Sequence, residues 1–272
     1  MLNKFGEAID ILFTNSILLS SIILTVWLPG NLLVSYLTYN VFGQGEILRQ
    51  LRITMMFENI FGPIYIGAMV YALSRIKQGQ TPTYSEAILV GLRNWGRLFV
   101  AHLIAGLLIL LGLIVLVVPG IVLLVRYALL DPAVILESAA PGEARRRSAE
   151  LTSGIRWQIF GAGLLFLAGF AVLSMLIYLP LGFFPGLDTM ATNVVLDCVL
   201  DVAFAVIQIV MFLYYWERAW EKRLTLEIEE LAIGKDISSG DVREGIHKII
   251  SVFDGHNMGE KNILLHLSLS TG

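Results

Sequence analysis

Long apolar stretches alternate with short polar segments over the first 216 residues of the chain. Six of these stretches are long enough, or nearly so, to cross a bilayer as a helix, which takes about 20 mostly apolar residues. They cover residues 16–38, 54–74, 97–118, 120–136, 158–181 and 192–215. The pattern therefore predicts an all-α fold, a polytopic membrane bundle of six transmembrane helices.

The third and fourth stretches are separated only by Pro119 and Gly120. Together they are too long for one span, and Pro-Gly is a strong turn signal. We therefore predict a tight reversal at this dipeptide, rather than one long kinked helix.

Three segments beside the predicted spans carry apolar residues at helical spacing. We expect amphipathic helices in the headgroup layer, with basic residues toward anionic lipid; plain connecting helices are the alternative. The apolar positions are Phe5, Ile9, Leu12 and Phe13 in the first segment, Tyr84, Ala87, Ile88, Gly91, Leu92 and Trp95 in the second, and Ala144, Ser148, Leu151 and Ile155 in the third. Residues 85–93 also align without gaps on residues 148–156, which suggests a weak internal repeat.

Charge changes this picture by giving it an orientation. Only 15% of residues are charged, against about a quarter in soluble domains, which argues against a soluble globule and a nucleic-acid binder. Basic residues follow the second, fourth and sixth stretches, whereas residues 182–193 contain no Lys or Arg. The positive-inside rule then predicts that both termini are cytoplasmic, although Arg49 and Arg52 fall on the other side.

The net charge of −3 comes from residues 217–272, which hold 7 basic and 10 acidic groups. We predict a transmembrane domain over 1–216 and a cytoplasmic tail over 217–272, with a helical start and a poorly ordered end.

Ionisable residues inside the predicted spans are the first candidate site, because burying charge in lipid is costly. Glu58, Arg126, Asp197 and Asp201 all fall in the outer half of their spans, whereas His102 falls near a cytoplasmic end. One hypothesis is a functional polar cluster in which Arg126 pairs with Asp201 or Asp197, leaving surplus negative charge for a proton, a cation or a lipid amine. The alternative is a structural ion pair, with the other acids reaching the headgroups.

No nucleophile, metal or phosphate-binding motif was found among those expected of enzymes. The single cysteine, Cys198, excludes a disulfide framework within one chain, and His247, His256 and His266 have no metal-pair spacing. We therefore predict no catalytic residues, no metal and no cofactor.

The fourth stretch and the segment after it resemble a known family. The residues that carry the likeness are Val118, Pro119, Gly120, Ile121, Arg126, Pro132, Glu137, Arg146, Arg147, Ser148, Glu150, Leu151, Thr152, Gly154, Arg156 and Trp157, with Tyr214, Tyr215 and Arg218 further on. The pattern resembles the membrane domain attached to some glycerophosphoryl diester phosphodiesterases, and related stand-alone bacterial membrane proteins of unknown function. Arg145 and Ala149 depart from it. The resemblance implies a six-helix protein of the bacterial inner membrane and implies no phosphodiesterase activity, which belongs to a separate soluble domain. Pro119, Gly120, Pro132, Glu137, Ser148 and Gly154 are its structural motif positions.

Arg145, Arg146, Arg147, Arg156 and Trp157 are the second candidate site, as contacts for lipid headgroups at the cytoplasmic surface. An ordinary positive-inside boundary would need the same residues. We expect a non-enzymatic protein of membrane organisation or of lipid and envelope homeostasis, whose partners are the lipid bilayer and its anionic headgroups, with no nucleic acid. A transporter or channel for a small cation, a proton-coupled solute or a lipid is the alternative. A homo-oligomer or an unidentified membrane partner is compatible with the glycines in the spans.

Overall fold

The computed structural model describes residues 1–42 and 47–234 of the chain. These residues form helices and connecting turns, with no strand among them, which confirms the predicted all-α class. The helices are α1 (Leu2–Thr14), α2 (Ser16–Leu37), α3 (Ile47–Lys77), α4 (Tyr84–Val115), α5 (Val117–Arg126), α6 (Leu130–Leu136), α7 (Pro141–Leu151), α8 (Arg156–Phe183) and α9 (Met190–Gly234). A π-helical turn at Thr38–Phe42 extends α2, and a 3-10 turn at Pro185–Leu187 precedes α9.

Six helical stretches are long and apolar enough to cross a membrane, as the sequence predicts. They are Ser16–Val41, Leu48–Lys77, Tyr84–Val115, Val117–Leu136, Arg156–Phe183 and Met190–Trp220. The last helix runs through the predicted domain boundary at residue 216 without a break and ends at Gly234. The predicted poorly ordered end and the three tail histidines lie outside the described residues.

The buried core contains residues of α1, α2, α3, α4, α6 and α9, with smaller contributions from α5, α7 and α8. Its largest side chains are aromatic and aliphatic, such as Phe212 and Tyr214 from α9 and Leu73 from α3. Two ion pairs fasten α1 to its neighbours, from Lys4 Nζ to Glu217 at 2.5 Å and from Lys77 Nζ to Glu7 at 2.7 Å. The chain start, the end of α3 and the exit of α9 therefore lie at one end of the bundle.

The reversal between the third and fourth apolar stretches occurs at Leu116, not at Pro119-Gly120 as predicted. Leu116 has an extended backbone between the last residue of α4 and the first of α5. Pro119 and Gly120 lie inside the first turns of α5, where the missing proline N–H costs no helical hydrogen bond. Gly120 instead lets the two helices approach, because a Cβ there would overlap Leu113 of α4.

The predicted fourth span is not one continuous helix. It breaks at residues 127–129, between α5 and α6. Ser148 of α7 holds the break, since its Oγ donates to the Arg126 carbonyl at 2.7 Å and accepts from the Leu129 N–H at 3.1 Å. Ser148 and Leu129 are fully buried, so the bond to the Leu129 N–H satisfies a backbone group that water cannot reach. The break is thus set by a residue of the next helix.

A polar network closes the opposite end of the bundle, around the turn between α8 and α9. Tyr39 Oη donates to Asp188 Oδ1 at 2.6 Å. Asn193 Nδ2 donates to the same carboxylate at 2.7 Å and to Tyr39 Oη at 2.6 Å. The two hydrogen bonds that the Asp188 carboxylate accepts, chiefly the one from Tyr39, lower its pKa below the ordinary value of 3.8.

This shift gives the network a defined pH dependence. Because the folded pKa is lowered, Asp188 stabilises the turn above its ordinary pKa, and the stabilisation is lost as pH falls through the lowered folded value. The carboxyl carbon of Asp188, followed by NMR, is expected to titrate below its ordinary pKa. In a Tyr39→Phe variant the midpoint should rise toward that value. An unchanged midpoint in this variant would show that the Tyr39 hydrogen bond does not carry the shift.

Candidate functional site

Four arginines from three helices line one open cavity of about 640 Å³. Arg126 comes from the end of α5, Arg145 and Arg146 from α7, and Arg156 from the start of α8. Glu150 is the one acidic residue among the described residues of the lining, which therefore carry a surplus of three positive charges (four arginines against one glutamate). Tyr127, Gly142, Ala149 and Ser153 complete the wall. A volume of this size lies within the range of small-molecule binding sites.

Local structure explains why these side chains converge. The break at residues 127–129 ends α5 at Arg126, and Ser148 fixes that end against α7. The carboxylate of Glu143 accepts from the N–H of Ala140 at 3.4 Å at the start of α7. Gly154 has a φ of +85°, a left-handed conformation that glycine adopts readily, and it turns the chain from α7 into α8. Arg156 is the first residue after this turn to be helical.

The cavity arginines have few partners among the residues that the structure describes. The buried Nε of Arg126 has no hydrogen-bond partner in the described part of the chain. Arg145 Nε donates to the Pro141 carbonyl at 3.3 Å, and Arg146 Nε lies 3.7 Å from Glu150 Oε1 across one exposed helical turn. An exposed pair of this kind contributes little to stability. The cavity therefore presents guanidinium groups whose donors are largely unused.

Arg147, predicted as a headgroup contact, has a different setting. Its Nε donates to both carboxylate oxygens of Glu137, at 2.8 and 2.9 Å. Tyr215 Oη of α9 donates to the same carboxylate at 2.9 Å. Arg147 and Glu137 are mostly buried, so this group joins α7 to α9 rather than lining the cavity. Pro132, another motif position, is buried in α6.

Trp157 follows Arg156 and points outward, with 85% of its surface exposed. Its ring meets Phe160 edge to face, at 6.0 Å between centroids. An exposed tryptophan at the start of a long apolar helix is typical of the boundary between lipid and water. The cavity and this aromatic anchor are thus adjacent along the chain.

The structure does not bring the predicted acidic cluster and Arg126 together. Asp201 accepts from Asn31 Nδ2 at 2.7 Å, and Asp197 accepts from the Tyr178 hydroxyl. Glu58 is exposed on α3. Arg126 forms no ion pair with Asp197 or Asp201, because α5 ends at the junction with α7 and α8. The pairing hypothesis was therefore wrong, and the aspartates are held by neutral donors.

His102 has a partner that the sequence did not reveal. Its Nε2 lies 2.5 Å from Asp131 Oδ1, which joins α4 to α6. The two residues are 29 positions apart, on either side of the reversal at Leu116. Asp131 within an apolar stretch was the available signal. Within residues 1–42 and 47–234, no group of three or more His, Cys, Asp or Glu side chains could hold a metal ion.

Comparison with known proteins yields one family. A family model described as a domain of unknown function, DUF7847, matches residues 56–222, which is more than half of the chain. The matched region contains α4 to α8 and therefore the whole arginine cavity. No curated protein and no solved structure matches the chain. The description names no activity and shows no link to glycerophosphoryl diester phosphodiesterases.

Proposed function

The chain belongs to the DUF7847 family, whose function is unknown, and from that premise we propose that it is a non-enzymatic integral membrane protein that binds the phosphate of anionic lipids in its arginine cavity. Its role would lie in membrane organisation or lipid and envelope homeostasis. The observation that carries the proposal is the convergence of Arg126, Arg145, Arg146 and Arg156 on one open cavity. Guanidinium groups bind phosphate oxygens through paired, charge-assisted hydrogen bonds, which suits them to this ligand.

The distribution of charge supports a placement in the bacterial cytoplasmic membrane with both termini inside. Lys4, Lys77 and Glu217 lie at one end of the bundle, together with the chain start and the exit of α9. The turn between α8 and α9, at the other end, contains no Lys or Arg. The positive-inside rule assigns the first end to the cytoplasm.

A lipid is favoured over free phosphate by what surrounds the cavity. Arg156 begins α8, whose exposed surface is apolar over most of its length, and Trp157 projects outward beside it. A phosphate held by Arg156 would leave its acyl chains beside this apolar surface. Neutral headgroups lack the net charge that a cavity with three surplus positive charges selects.

The double variant Arg145→Gln/Arg146→Gln tests the proposal. Each arginine near an anionic surface contributes about 1 kcal/mol, so two should weaken binding about 30-fold. Binding is measured as the rise in melting temperature of the protein in neutral detergent on titration with phosphatidylglycerol, phosphatidic acid, phosphatidylcholine or inorganic phosphate. We expect stabilisation by the two anionic lipids only, and its loss in the variant.

A matched control is Arg49→Gln/Arg52→Gln, which removes the same charge from α3 outside the cavity. It should bind the anionic lipids like the unmodified protein. Equal weakening of lipid binding in both double variants would mean that net charge, and not the cavity, causes the effect. Stabilisation by phosphatidylcholine to the same extent as by the anionic lipids would contradict recognition of an anionic headgroup. Stabilisation by inorganic phosphate alone would assign the cavity to a soluble anion.

Transport of a small cation, a proton-coupled solute or a lipid through the intramembrane acids is the second candidate. It is favoured by Asp197 and Asp201 being paired with Tyr178 and Asn31 rather than with a basic residue. However, Glu58, Asp197 and Asp201 line neither the arginine cavity nor the smaller cavity beside Asp131 and Gln208. Lipid binding therefore remains the leading proposal.

A further inference from the structure

The hairpin formed by α4 and α5 ends in an exposed turn that consists only of apolar residues, whereas turns in water are usually polar. Residues 114–118, the hairpin tip, are Ile, Val, Leu, Val and Val, and each is 62–73% exposed. We propose that this hairpin enters only the cytoplasmic leaflet and holds its tip among the acyl chains, without crossing the bilayer. The inference goes beyond lipid headgroup binding and shares with it the placement of the arginine cavity at the cytoplasmic surface.

The length of α5 sets the limit. Its ten residues rise about 15 Å. Arg126, at its end, lines the arginine cavity, so the tip lies within about 15 Å of that cavity whichever way the helix points. The hydrocarbon core is about 30 Å thick. The tip therefore reaches about half-way, whereas α8, which starts at the same cavity with 28 residues, rises about 42 Å.

The depth of the cavity itself is fixed by its charges. Arg146 is 80% exposed and its cavity holds three further arginines, and charges so exposed cannot face the hydrocarbon without a large cost. The cavity is thus in the headgroup layer.

The chain beyond α5 does not continue into lipid. The break at residues 127–129 turns it into α6, which packs on α3, α4 and α7. Five of the seven residues of α6 are buried, and its Asp131 pairs with His102. Protein therefore surrounds α6, and α5 is the only part of this predicted span left to face acyl chains.

The exposed surface of the hairpin matches this placement. On α4 a row of apolar residues at helical spacing, each at least half exposed, runs toward the tip through Leu103, Leu107, Leu110 and Ile114. By contrast, the turn between α8 and α9 holds the polar network of Tyr39, Asp188 and Asn193, as a turn in a hydrated layer should. Acyl chains are the partner whose chemistry fits the tip.

Depth measurements in vesicles test the inference. In a Cys198→Ser background, Leu116→Cys carries a fluorescent label in vesicles of phosphatidylcholine and phosphatidylglycerol. We expect lipids spin-labelled deep in the acyl chain to quench the label more than lipids labelled at the headgroup. Leu187→Cys, in the exposed turn before α9, should show the reverse order. In intact cells a membrane-impermeant maleimide should modify Leu116→Cys at least about tenfold more slowly than Leu187→Cys, because the tip lies in hydrocarbon and not in water.

Reaction of Leu116→Cys from outside at the rate of Leu187→Cys would mean that the hairpin crosses, and would overturn the inference. Stronger quenching by the headgroup label would place the tip on the membrane surface and overturn it equally. Val118→Cys provides a second position should Leu116→Cys not fold. Loss of lipid stabilisation in the headgroup titration would leave these depth results unaffected, so the two proposals fail separately.

Discussion

Replacing Ser148 with alanine is expected to lower the melting temperature of the protein by about 5–15 °C, from a loss of about 2–4 kcal/mol. The hydroxyl serves two backbone groups, the Arg126 carbonyl and the Leu129 N–H, and the alanine leaves both without a partner. Because Ser148 and Leu129 are fully buried, water cannot replace the lost bond to the Leu129 N–H. Fluorescence-detected thermal unfolding in detergent measures the change.

The effect should extend to the arginine cavity, since the same hydroxyl fixes the residue whose side chain lines it. Ser148→Ala is therefore expected to weaken the anionic-lipid stabilisation as well. The matched control is Ser85→Ala, at the position aligned with Ser148 in the internal repeat. Ser85 is exposed in the first turn of α4, so its replacement should change the melting temperature by no more than about 1–2 °C. A Ser148→Ala protein as stable as this control would contradict the role assigned to the hydroxyl.

Replacing Gly91 with leucine is expected to prevent α3 and α4 from packing. A Cβ at this position would overlap the Ile64 carbonyl oxygen and lie 3.1 Å from the Ala68 nitrogen, both of the α3 backbone. Backbone atoms within a helix cannot move aside singly, so the helices must separate. Leucine is a good helix former, which leaves packing as the cause. The cost should be about 3 kcal/mol or more, seen as a fall in melting temperature of roughly 10 °C and a loss of monodisperse protein on size exclusion.

Gly96→Leu provides the control on the same helix. No atom lies within 4 Å of a Cβ built at Gly96, so leucine there should fold normally and gain slightly in helix propensity. Equal losses from the two variants would show that leucine is harmful anywhere on this helix rather than at the crossing. A Gly91→Leu protein that is monodisperse and stable would contradict the close approach of α3 and α4.

Much of the secondary structure was accessible from the sequence because hydropathy and helical spacing are local properties. The six long apolar stretches, of which only the fourth is broken, and the buried positions Ala144, Ser148 and Leu151 of α7 follow the predicted patterns. In the second amphipathic segment the pattern found the apolar residues but not their directions. Of these residues of α4, Ala87 and Gly91 are buried, whereas Leu92 and Trp95 are exposed. An apolar residue that faces lipid and one that faces protein look alike in a sequence.

The arrangement of the charges could not be predicted, because it depends on contacts between distant residues. Its position within the apolar stretch assigned Arg126 to the outer half of the predicted span and did not reveal the arginines of α7 and α8 beside it. The end of α5 at Arg126 is fixed by Ser148, 22 positions later, and the pair of His102 and Asp131 spans 29 positions. Arg147 is next to Arg146, yet one ion-pairs with Glu137 inside the bundle and the other faces the cavity. A single helical step of about 100° separates these two environments.

Because α9 is continuous, its length determines how far it extends beyond the membrane. Its 45 residues rise about 68 Å, whereas a bilayer with its headgroups is about 40–45 Å thick. If the helix starts at the outer headgroups, its end at Gly234 stands about 25 Å clear of the inner ones. Inserting or deleting one residue in the part of α9 beyond the inner headgroups would rotate the end of the helix by about 100°, and a change of seven residues would nearly restore its phase. The distance from the membrane and the azimuth at which α9 ends are therefore set by helix geometry.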